Sequence, residues 1–166
     1  MAQSLQRPAT FEFDLPDEAA TAALARSLAA CCRLGDVIAL KGELGAGKTS
    51  FARAFINALP RPGGPEREEE VPSPTFTLVQ TYDRLPAPVW HFDLYRIEHR
   101  DEVTELGLEE ALAAAITLIE WPERLGPALP EPCLEVALSY APAGGRHASL
   151  CGTGDWPRRL RGFKSA

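Results

Sequence analysis

A glycine-rich segment between an apolar strand and an amphipathic helix is the pattern that most constrains this fold. The segment reads GELGAGKT over residues 42–49 and fits G-x-x-x-x-G-K-[ST]. The preceding residues 37–40 are all apolar, which is typical of a strand buried on both faces of a parallel sheet. Apolar residues then recur every four positions from Phe51 to Leu59, which predicts a helix over about 48–59. This order of elements predicts an α/β fold with a parallel core sheet.

The same loop has the chemistry of a phosphate site. Glycines let successive backbone N–H groups turn toward an anion, and the following helix adds its free N–H groups and the positive end of its dipole. Lys48 would reach the β- and γ-phosphates, and the Thr49 hydroxyl suits Mg²⁺. The alternative is a structural turn that happens to precede a lysine. The predicted nucleotide-binding residues of the loop are Leu44, Gly45, Ala46, Gly47, Lys48 and Thr49.

The positions of the few lysines also point to the glycine-rich loop. Of 17 basic residues, 14 are arginine and three are lysine. Two of these lysines, Lys41 and Lys48, lie seven positions apart around the loop. A phosphate loop needs a compact ammonium on a flexible stem, which arginine does not provide. Lys48 therefore has a predicted role, whereas Lys41 is predicted to be a surface charge at a strand end.

Two acids follow further apolar runs. Asp93 comes after residues 89–92, and Glu120 comes after residues 116–119. Ligands of open α/β sheets bind at the carboxyl ends of the strands, and Mg²⁺ prefers oxygen ligands. Either acid could hold the metal or its water while the other orients an attacking water. The alternative for each is a capping or ion-paired carboxylate.

The segment Ser73–Thr77, SPTFT, offers several hydroxyl groups. Thr75 is the best candidate to close over a γ-phosphate as a switch, and the alternative is a strand that simply begins with β-favouring threonines. Strands at 75–82 and 89–95, joined by a short turn, predict an antiparallel pair. The preceding residues 60–72 combine proline, glycine and four glutamates, which predicts a mobile, exposed loop.

The remaining chain completes a single three-layer domain, predicted to be P-loop NTPase-like over residues 1–152 with 60–72 as a loop insertion. Asp17 is predicted to N-cap a helix. Strands are predicted at 11–15, 115–119, 134–140 and 148–151, and helices over about 17–33 and 101–114, the latter with a break at Gly107. Residues 153–166 are predicted to be a basic, solvated tail that contains Arg158, Arg159, Arg161 and Lys164.

Bulk properties exclude some classes of function. The net charge of −6 argues against a broad nucleic-acid or membrane surface. No apolar run approaches the roughly 18–20 residues of a membrane span, and the N-terminus lacks the apolar core of a signal peptide. The four cysteines have no metal-ligand spacing and are predicted to be free thiols. We expect a cytoplasmic protein without membrane contact.

Four motifs resemble, in order and spacing, those of the bacterial TsaE (YjeE) family, which belongs to the biosynthesis of threonylcarbamoyladenosine in tRNA. They are GELGAGKT at 42–49, SPTFTLV at 73–79, HFDLYR at 91–96 and IEWPE at 119–123. The resemblance spans about 36–123. It implies a small P-loop ATPase that binds ATP and Mg²⁺ and regulates or resets the threonylcarbamoyl transferase TsaD with its partner TsaB. Contact with tRNA would be indirect, through that complex.

The resemblance also implies roles for individual residues. Thr49 and Glu120 look like the Mg²⁺ site, and Asp93 looks like a strand-end acid that supports catalysis. The predicted catalytic set is therefore Lys48, Asp93 and Glu120. Further roles that the resemblance implies are a switch near the γ-phosphate for Thr75, contact with the nucleoside for Asp17, and an aromatic beside the acid, with a possible partner surface, for Trp121.

Three departures and two alternatives accompany this interpretation. Glu43 stands where the family usually has aspartate, the loop at 60–72 looks long, and the tail from about Gly152 lies outside the resemblance. One alternative is a small-molecule kinase of the nucleotide-kinase type, although Arg61 and Arg67 among four glutamates make a poor anion clamp. The other is an ATP-binding switch without hydrolysis. The fate of bound ATP distinguishes the ATPase, the kinase and the switch.

Overall fold

The computed structural model describes residues 9–64 and 68–163. Within these ranges, one sheet contains β1 (Thr10–Leu15), β2 (Val37–Lys41), β3 (Val79–Tyr82), β4 (Val89–Asp93), β5 (Ile116–Glu120), β6 (Leu134–Tyr140) and β7 (Arg146–Gly152). The helices are α1 (Glu18–Cys31), α2 (Lys48–Ala58), α3 (Asp101–Glu105), α4 (Leu108–Ala114) and α5 (Trp156–Leu160), with 3₁₀ turns at Pro122–Arg124 and Gly126–Ala128. The predicted α/β class is confirmed.

The sheet has a parallel centre and antiparallel additions, as predicted. Its order is β1-β7-β6-β2-β5-β4-β3. β2 runs parallel to β5 and β6, and β4 runs parallel to β5, whereas β3, β7 and β1 join antiparallel. The register places Asp93 opposite Glu120, and Glu120 opposite Leu40. The carboxyl ends of three parallel strands therefore meet where the phosphate loop leaves β2.

Both faces of the sheet are covered, which gives three layers. Ile38 and Leu40 of β2 belong to a buried cluster with residues of α1 and α2, whereas Val37 belongs to a second cluster with residues of α3 and α4. On α2, Phe51 and Phe55 are completely buried, and such burial contributes about 1.5–3 kcal/mol for each side chain. This packing holds the start of α2 firmly against the sheet.

The strand predicted at 75–82 begins later than expected. Residues 75–77 form a turn in which the Leu78 N–H donates to the Pro74 carbonyl oxygen at 2.6 Å. Leu78 has a φ of 68°, a left-handed conformation that interrupts extended pairing, so β3 starts at Val79. The next strand ends at Asp93 rather than at residue 95.

The loop at 60–72, predicted to be mobile and exposed, is fixed along part of its length. The Glu69 N–H donates to Asn57 Oδ1 at 2.8 Å, and Asn57 Nδ2 donates to the Glu69 carbonyl oxygen at 3.0 Å. Val71 is completely buried, and the buried Arg84 holds the Glu69 carboxylate at 2.6 Å. The prediction is therefore wrong for Glu69 and Val71, whereas Glu70 is exposed as predicted and Arg67 lies outside the described residues.

The basic tail is also less solvated than predicted. Trp156 and Leu160 of α5 are buried in the cluster with α1 and α2. The Arg159 side chain is only 7% exposed and donates to Asp36 Oδ1 at 3.0 Å, whereas Arg158 is 74% exposed. Because Trp156 and Leu160 pack into the core, the neighbouring Arg159 is buried as well, and its charge is paired with Asp36. The division at residue 152 stays a prediction, and Lys164 lies outside the described residues.

Two further predictions concern cysteines and membranes. All four cysteines are free thiols, as predicted. In the part of the chain that the structure describes, no helix is long and apolar enough to cross a membrane.

Candidate nucleotide-binding site

A cavity of about 280 Å³ opens at the carboxyl edge of β2, β4 and β5. Most of the predicted site residues line it. The lining comprises Leu44, Gly45, Gly47, Lys48, Thr49, Ser50, Ser73, Thr75, Asp93, Tyr95, Glu120 and Trp121. Of the residues predicted from sequence, Asp17 and Ala46 are not in this lining.

The phosphate loop takes a backbone path that requires glycine at both ends. Gly47 has a φ of 105° where α2 begins, and Gly42 has a φ of 147° where β2 ends. A Cβ atom on Gly42 would lie 2.5 Å from the Leu138 carbonyl oxygen. Ala46 is buried, and its N–H already donates to the Glu43 carbonyl oxygen at 3.0 Å, which closes the turn.

The Lys48 ammonium rests on the loop itself. Its Nζ donates to the carbonyl oxygens of Gly42 at 2.6 Å and Glu43 at 2.8 Å, and it lies 4.2 Å from the centre of the Trp121 ring. Burial lowers the pKa of Lys48, and the nearby carboxylates of Glu120, Glu123 and Asp93 oppose that shift. To reach a phosphate, this ammonium must leave the two carbonyl groups.

Thr49 and Glu120 face each other directly. Thr49 Oγ1 donates to Glu120 Oε1 at 3.0 Å, and Glu120 is 2% exposed. A hydroxyl and a carboxylate converging at this distance are hard oxygen donors, so the pair fits a magnesium ion with its waters. His91 Nε2 lies 3.6 Å from the same Oε1 atom, and neither ring nitrogen of this buried histidine has a hydrogen-bond partner among the described residues.

Asp93 is tied to the segment that carries the predicted switch. Its Oδ1 accepts from the Tyr95 N–H at 3.0 Å, and its Oδ2 accepts from Ser73 Oγ at 3.1 Å and Thr75 Oγ1 at 3.2 Å. The structure therefore brings Thr75 beside the acid. Ser73 shares the same carboxylate oxygen, so a change at either hydroxyl alters the surroundings of Asp93.

Trp121 forms one wall of the cavity in an uncommon backbone conformation. Its φ is 58° and its ψ is 50°, in the left-handed region that non-glycine residues seldom occupy. Its ring lies 4.9 Å from the Tyr95 ring, between centroids. The indole therefore stands between Lys48 and Tyr95, directly beside Glu120.

Asp17 lies in an adjoining cavity of about 390 Å³. That cavity shares Gly45, Gly47 and Ser50 with the first, and its lining includes Arg146. Asp17 also caps α1, because one of its carboxylate oxygens accepts from the Ala20 N–H at 2.8 Å. The predicted role beside a nucleoside stays a prediction, and its position next to the phosphate loop is compatible with it.

Comparison with known proteins identifies the family. The model of the family "Threonylcarbamoyl adenosine biosynthesis protein TsaE" matches residues 15–148. The chain belongs to the TsaE family. TsaE proteins are named for the biosynthesis of threonylcarbamoyladenosine in tRNA, and the resemblance of the four sequence motifs is thereby confirmed.

Relatives of this chain include two proteins named tRNA threonylcarbamoyladenosine biosynthesis protein TsaE. The one from Rickettsia bellii is 40% identical over 124 residues, covering 75% of this chain and 83% of the relative. The one from Bacillus subtilis is 36% identical over 147 residues, covering 82% and 87%. A crystal structure of YdiB from Bacillus subtilis matches with a TM-score of 0.76 and 28% identity over 93% of both chains. The P-loop NTPase-like fold is confirmed.

Several residues around this TsaE site were not predicted from sequence, among them Ser50 and Tyr95 of the lining. His91 stands two positions before Asp93, where alternation along a strand could have placed both on one face. Tyr140 and Arg146 contact the phosphate loop from about 100 positions away along the chain. Long-range contacts of this kind leave no local signal in a single sequence.

Proposed function

We propose that this member of the TsaE family binds and hydrolyses Mg-ATP and thereby regulates or resets the threonylcarbamoyl transferase complex. That complex modifies the adenosine beside the anticodon in tRNA. The observation that carries the proposal is the convergence of Lys48, Thr49, Asp93 and Glu120 on one cavity. A cation, a hydroxyl and two acids at the carboxyl edge of a parallel sheet are the groups that phosphoryl transfer requires.

In the proposed complex, ATP phosphates lie against the loop. Backbone N–H groups of Leu44, Gly45 and Gly47 and the ammonium of Lys48 would hold them, and the predicted contact of Ala46 would require its N–H to leave the Glu43 carbonyl oxygen. Asp17 would approach the nucleoside. Thr49 and Glu120 would hold Mg²⁺. A bound magnesium ion would neutralise part of the phosphate charge.

Asp93 is the proposed acid that supports attack by water. Its Oδ2 receives both Ser73 and Thr75 hydroxyl groups, so Thr75 can act as a switch by exchanging this bond for one to the γ-phosphate. Exchange at Thr75 would leave Asp93 one acceptor position for a water. The position of the 73–75 segment and the reactivity of the site are therefore coupled.

Partners are the second part of the proposal. We propose that TsaD and TsaB associate with this chain in the cytoplasm, and that tRNA is reached only through that complex. We expect low intrinsic turnover, because loop carbonyl groups hold Lys48 and three hydrogen bonds already occupy the Asp93 carboxylate. A partner that touches Trp121, which lies 4.2 Å from the Lys48 ammonium, would affect that arrangement directly.

Phosphate release from ATP by the purified chain, with and without the TsaD–TsaB pair, tests the proposal. We expect slow release by the chain alone and faster release with the pair. Lys48→Ala should abolish both, whereas Lys41→Ala should not, because Lys41 pairs with Glu135 at 2.9 Å on the surface.

The same experiment distinguishes the alternatives. Thin-layer analysis that showed a phosphorylated small molecule in place of free phosphate would indicate a kinase. Arg61 speaks against that outcome, because its guanidinium faces Glu69 at 3.3 Å rather than the cavity. Tight ATP binding without phosphate release in either mixture would indicate a switch without hydrolysis.

A further inference from the structure

The hairpin of β6 and β7 grips the outer side of the phosphate loop. Arg146 Nε donates to the Ala46 carbonyl oxygen at 3.2 Å, and Arg146 Nη2 donates to the Gly45 carbonyl oxygen at 3.2 Å. Tyr140 Oη donates to the Leu44 carbonyl oxygen at 3.4 Å. Three consecutive loop carbonyl groups are therefore bound by two side chains of one hairpin.

The two gripping side chains support each other. Tyr140 and Arg146 are paired across the antiparallel ladder, so their side chains lie on the same face. The Arg146 guanidinium lies 4.2 Å from the centre of the Tyr140 ring, and Arg146 Nη1 donates to the Gly145 carbonyl oxygen at 3.1 Å. The Tyr140 ring therefore contacts one face of the guanidinium, and the Gly145 carbonyl oxygen holds one of its N–H groups. Together these contacts fix the orientation of the Arg146 side chain.

Fixing the carbonyl groups also fixes the N–H groups. In a planar trans peptide, the C=O of one residue and the N–H of the next point in opposite directions. Holding the Leu44 and Ala46 carbonyls toward the hairpin therefore turns the Gly45 and Gly47 N–H groups away from it. Both glycines line the cavity, and both have positive φ values. Because glycine has no Cβ atom, the loop could take other backbone conformations unless other groups hold it.

We propose that Arg146, supported by Tyr140, is a positioning residue that holds the phosphate loop in its binding conformation before nucleotide arrives. This inference rests on the proposed binding of ATP at the loop and adds a residue to it. Arg146 acts on the peptide groups and not on the phosphates. Its fork shape, which reaches two successive carbonyls at once, therefore matters as well as its charge.

The test compares Arg146→Ala, Arg146→Lys and wild type by calorimetric titration with Mg-ATP and by steady-state phosphate release. Arg146→Ala should raise Kd and KM about ten-fold or more, because two hydrogen bonds from a charged group are lost. The kcat at saturating ATP should change less than about three-fold. Arg146→Lys should fail to restore Kd, and Arg158→Ala, which removes a 74% exposed arginine, should bind as wild type does.

Hydrogen exchange of the Gly45 and Gly47 amides without nucleotide gives a second readout, and it also serves if Arg146→Ala does not fold. These amides should exchange faster in Arg146→Lys and in Tyr140→Leu than in wild type. Wild-type Kd in Arg146→Ala, or full restoration of Kd by lysine, would overturn the inference. If wild type itself did not bind Mg-ATP, the proposed function would be overturned instead.

Discussion

At the scale of single residues, the Lys48 ammonium must change its hydrogen-bond partners before it can hold a phosphate. The Lys48 ammonium donates hydrogen bonds to the Gly42 and Glu43 carbonyl oxygens and lies against the Trp121 ring. These contacts satisfy N–H donors of a buried cation, and they must be exchanged when phosphate arrives. The exchange moves a charge away from an indole, which makes it observable.

Trp121 should therefore report nucleotide binding. Adding Mg-ATP should change the intrinsic tryptophan fluorescence, because the ammonium 4.2 Å from the ring centre moves away. Trp121→Phe should remove most of that change. Trp156→Phe is the matched control: it removes the buried indole of the first residue of α5 and should leave the change in place. A fluorescence change that persisted in Trp121→Phe would contradict the rearrangement.

The Thr49–Glu120 contact leads to a prediction about magnesium. Thr49→Ala and Glu120→Gln should each raise the Mg²⁺ concentration for half-maximal turnover about ten-fold, because each removes an oxygen ligand or its charge. Phosphate release measured across a magnesium titration checks this. Glu123→Gln, at an exposed position of the same segment, should shift the titration much less. An unaltered titration in Glu120→Gln would remove Glu120 from the metal site.

At the scale of elements, a buried ion pair fastens α5 to the start of β2. Arg159 is 7% exposed and Asp36 is 13% exposed, and the guanidinium also donates to the Cys31 carbonyl oxygen at 2.6 Å. Asp155 also lies 3.5 Å from Arg159, but removing Asp36 takes away the carboxylate nearest to the buried guanidinium, which is costly for a buried charge. Asp36→Asn should lower the free energy of unfolding by about 3 kcal/mol in urea denaturation. Arg158→Ala, at the neighbouring exposed position, should stay within about 0.5 kcal/mol of wild type.

A histidine on β7 contacts two carboxylates of the edge strand β1. His147 lies 2.6 Å from Glu12 and 3.1 Å from Asp14, and hydrogen bonds to Glu12 and then Asp14 raise its pKa. A raised pKa in the folded state contributes stability that is complete below the unfolded pKa of about 6.5 and is lost as pH rises through the folded value.

The free energy of unfolding should reflect that sign. The stability difference between wild type and His147→Asn should be larger at pH 6 than at pH 9, as measured by urea denaturation at both values. A difference that grew with pH would contradict the raised pKa of His147.

At the scale of the whole molecule, nucleotide binding should stabilise the chain against heat. A ligand at 100 times its Kd adds about 2.7 kcal/mol, which corresponds to roughly 5–10 °C in Tm for a domain of this size. Thermal denaturation with and without Mg-ATP measures the shift. Lys48→Ala should lose it and Lys41→Ala should keep it. Equal shifts in both lysine variants would place the binding away from the phosphate loop.

Local patterns predicted much of this molecule. The apolar run at 37–40, the glycine pattern after it and the acids at 93 and 120 each lie within a few residues of what defines them, so the strands, the loop and the convergence of the acids followed from sequence. The late start of β3 has a local cause, the turn at residues 75–77 and the left-handed Leu78. The other features that sequence did not predict depended on contacts between segments. Arg159 finds Asp36 across 123 positions, Arg146 finds Ala46 across 100, and Glu69 is anchored by Asn57 and Arg84.

The pairing of β1 with β7 has a practical consequence for attaching this protein to a surface. Leu15 pairs with Arg146, which touches the phosphate loop, whereas Thr10 pairs with Cys151 at the other end of the ladder. Five steps along a strand separate the two ends by about 17 Å. A tether or a fluorophore placed at the Thr10 end therefore lies at the opposite end of β1 from the phosphate loop. That position leaves the mouth of the cavity open.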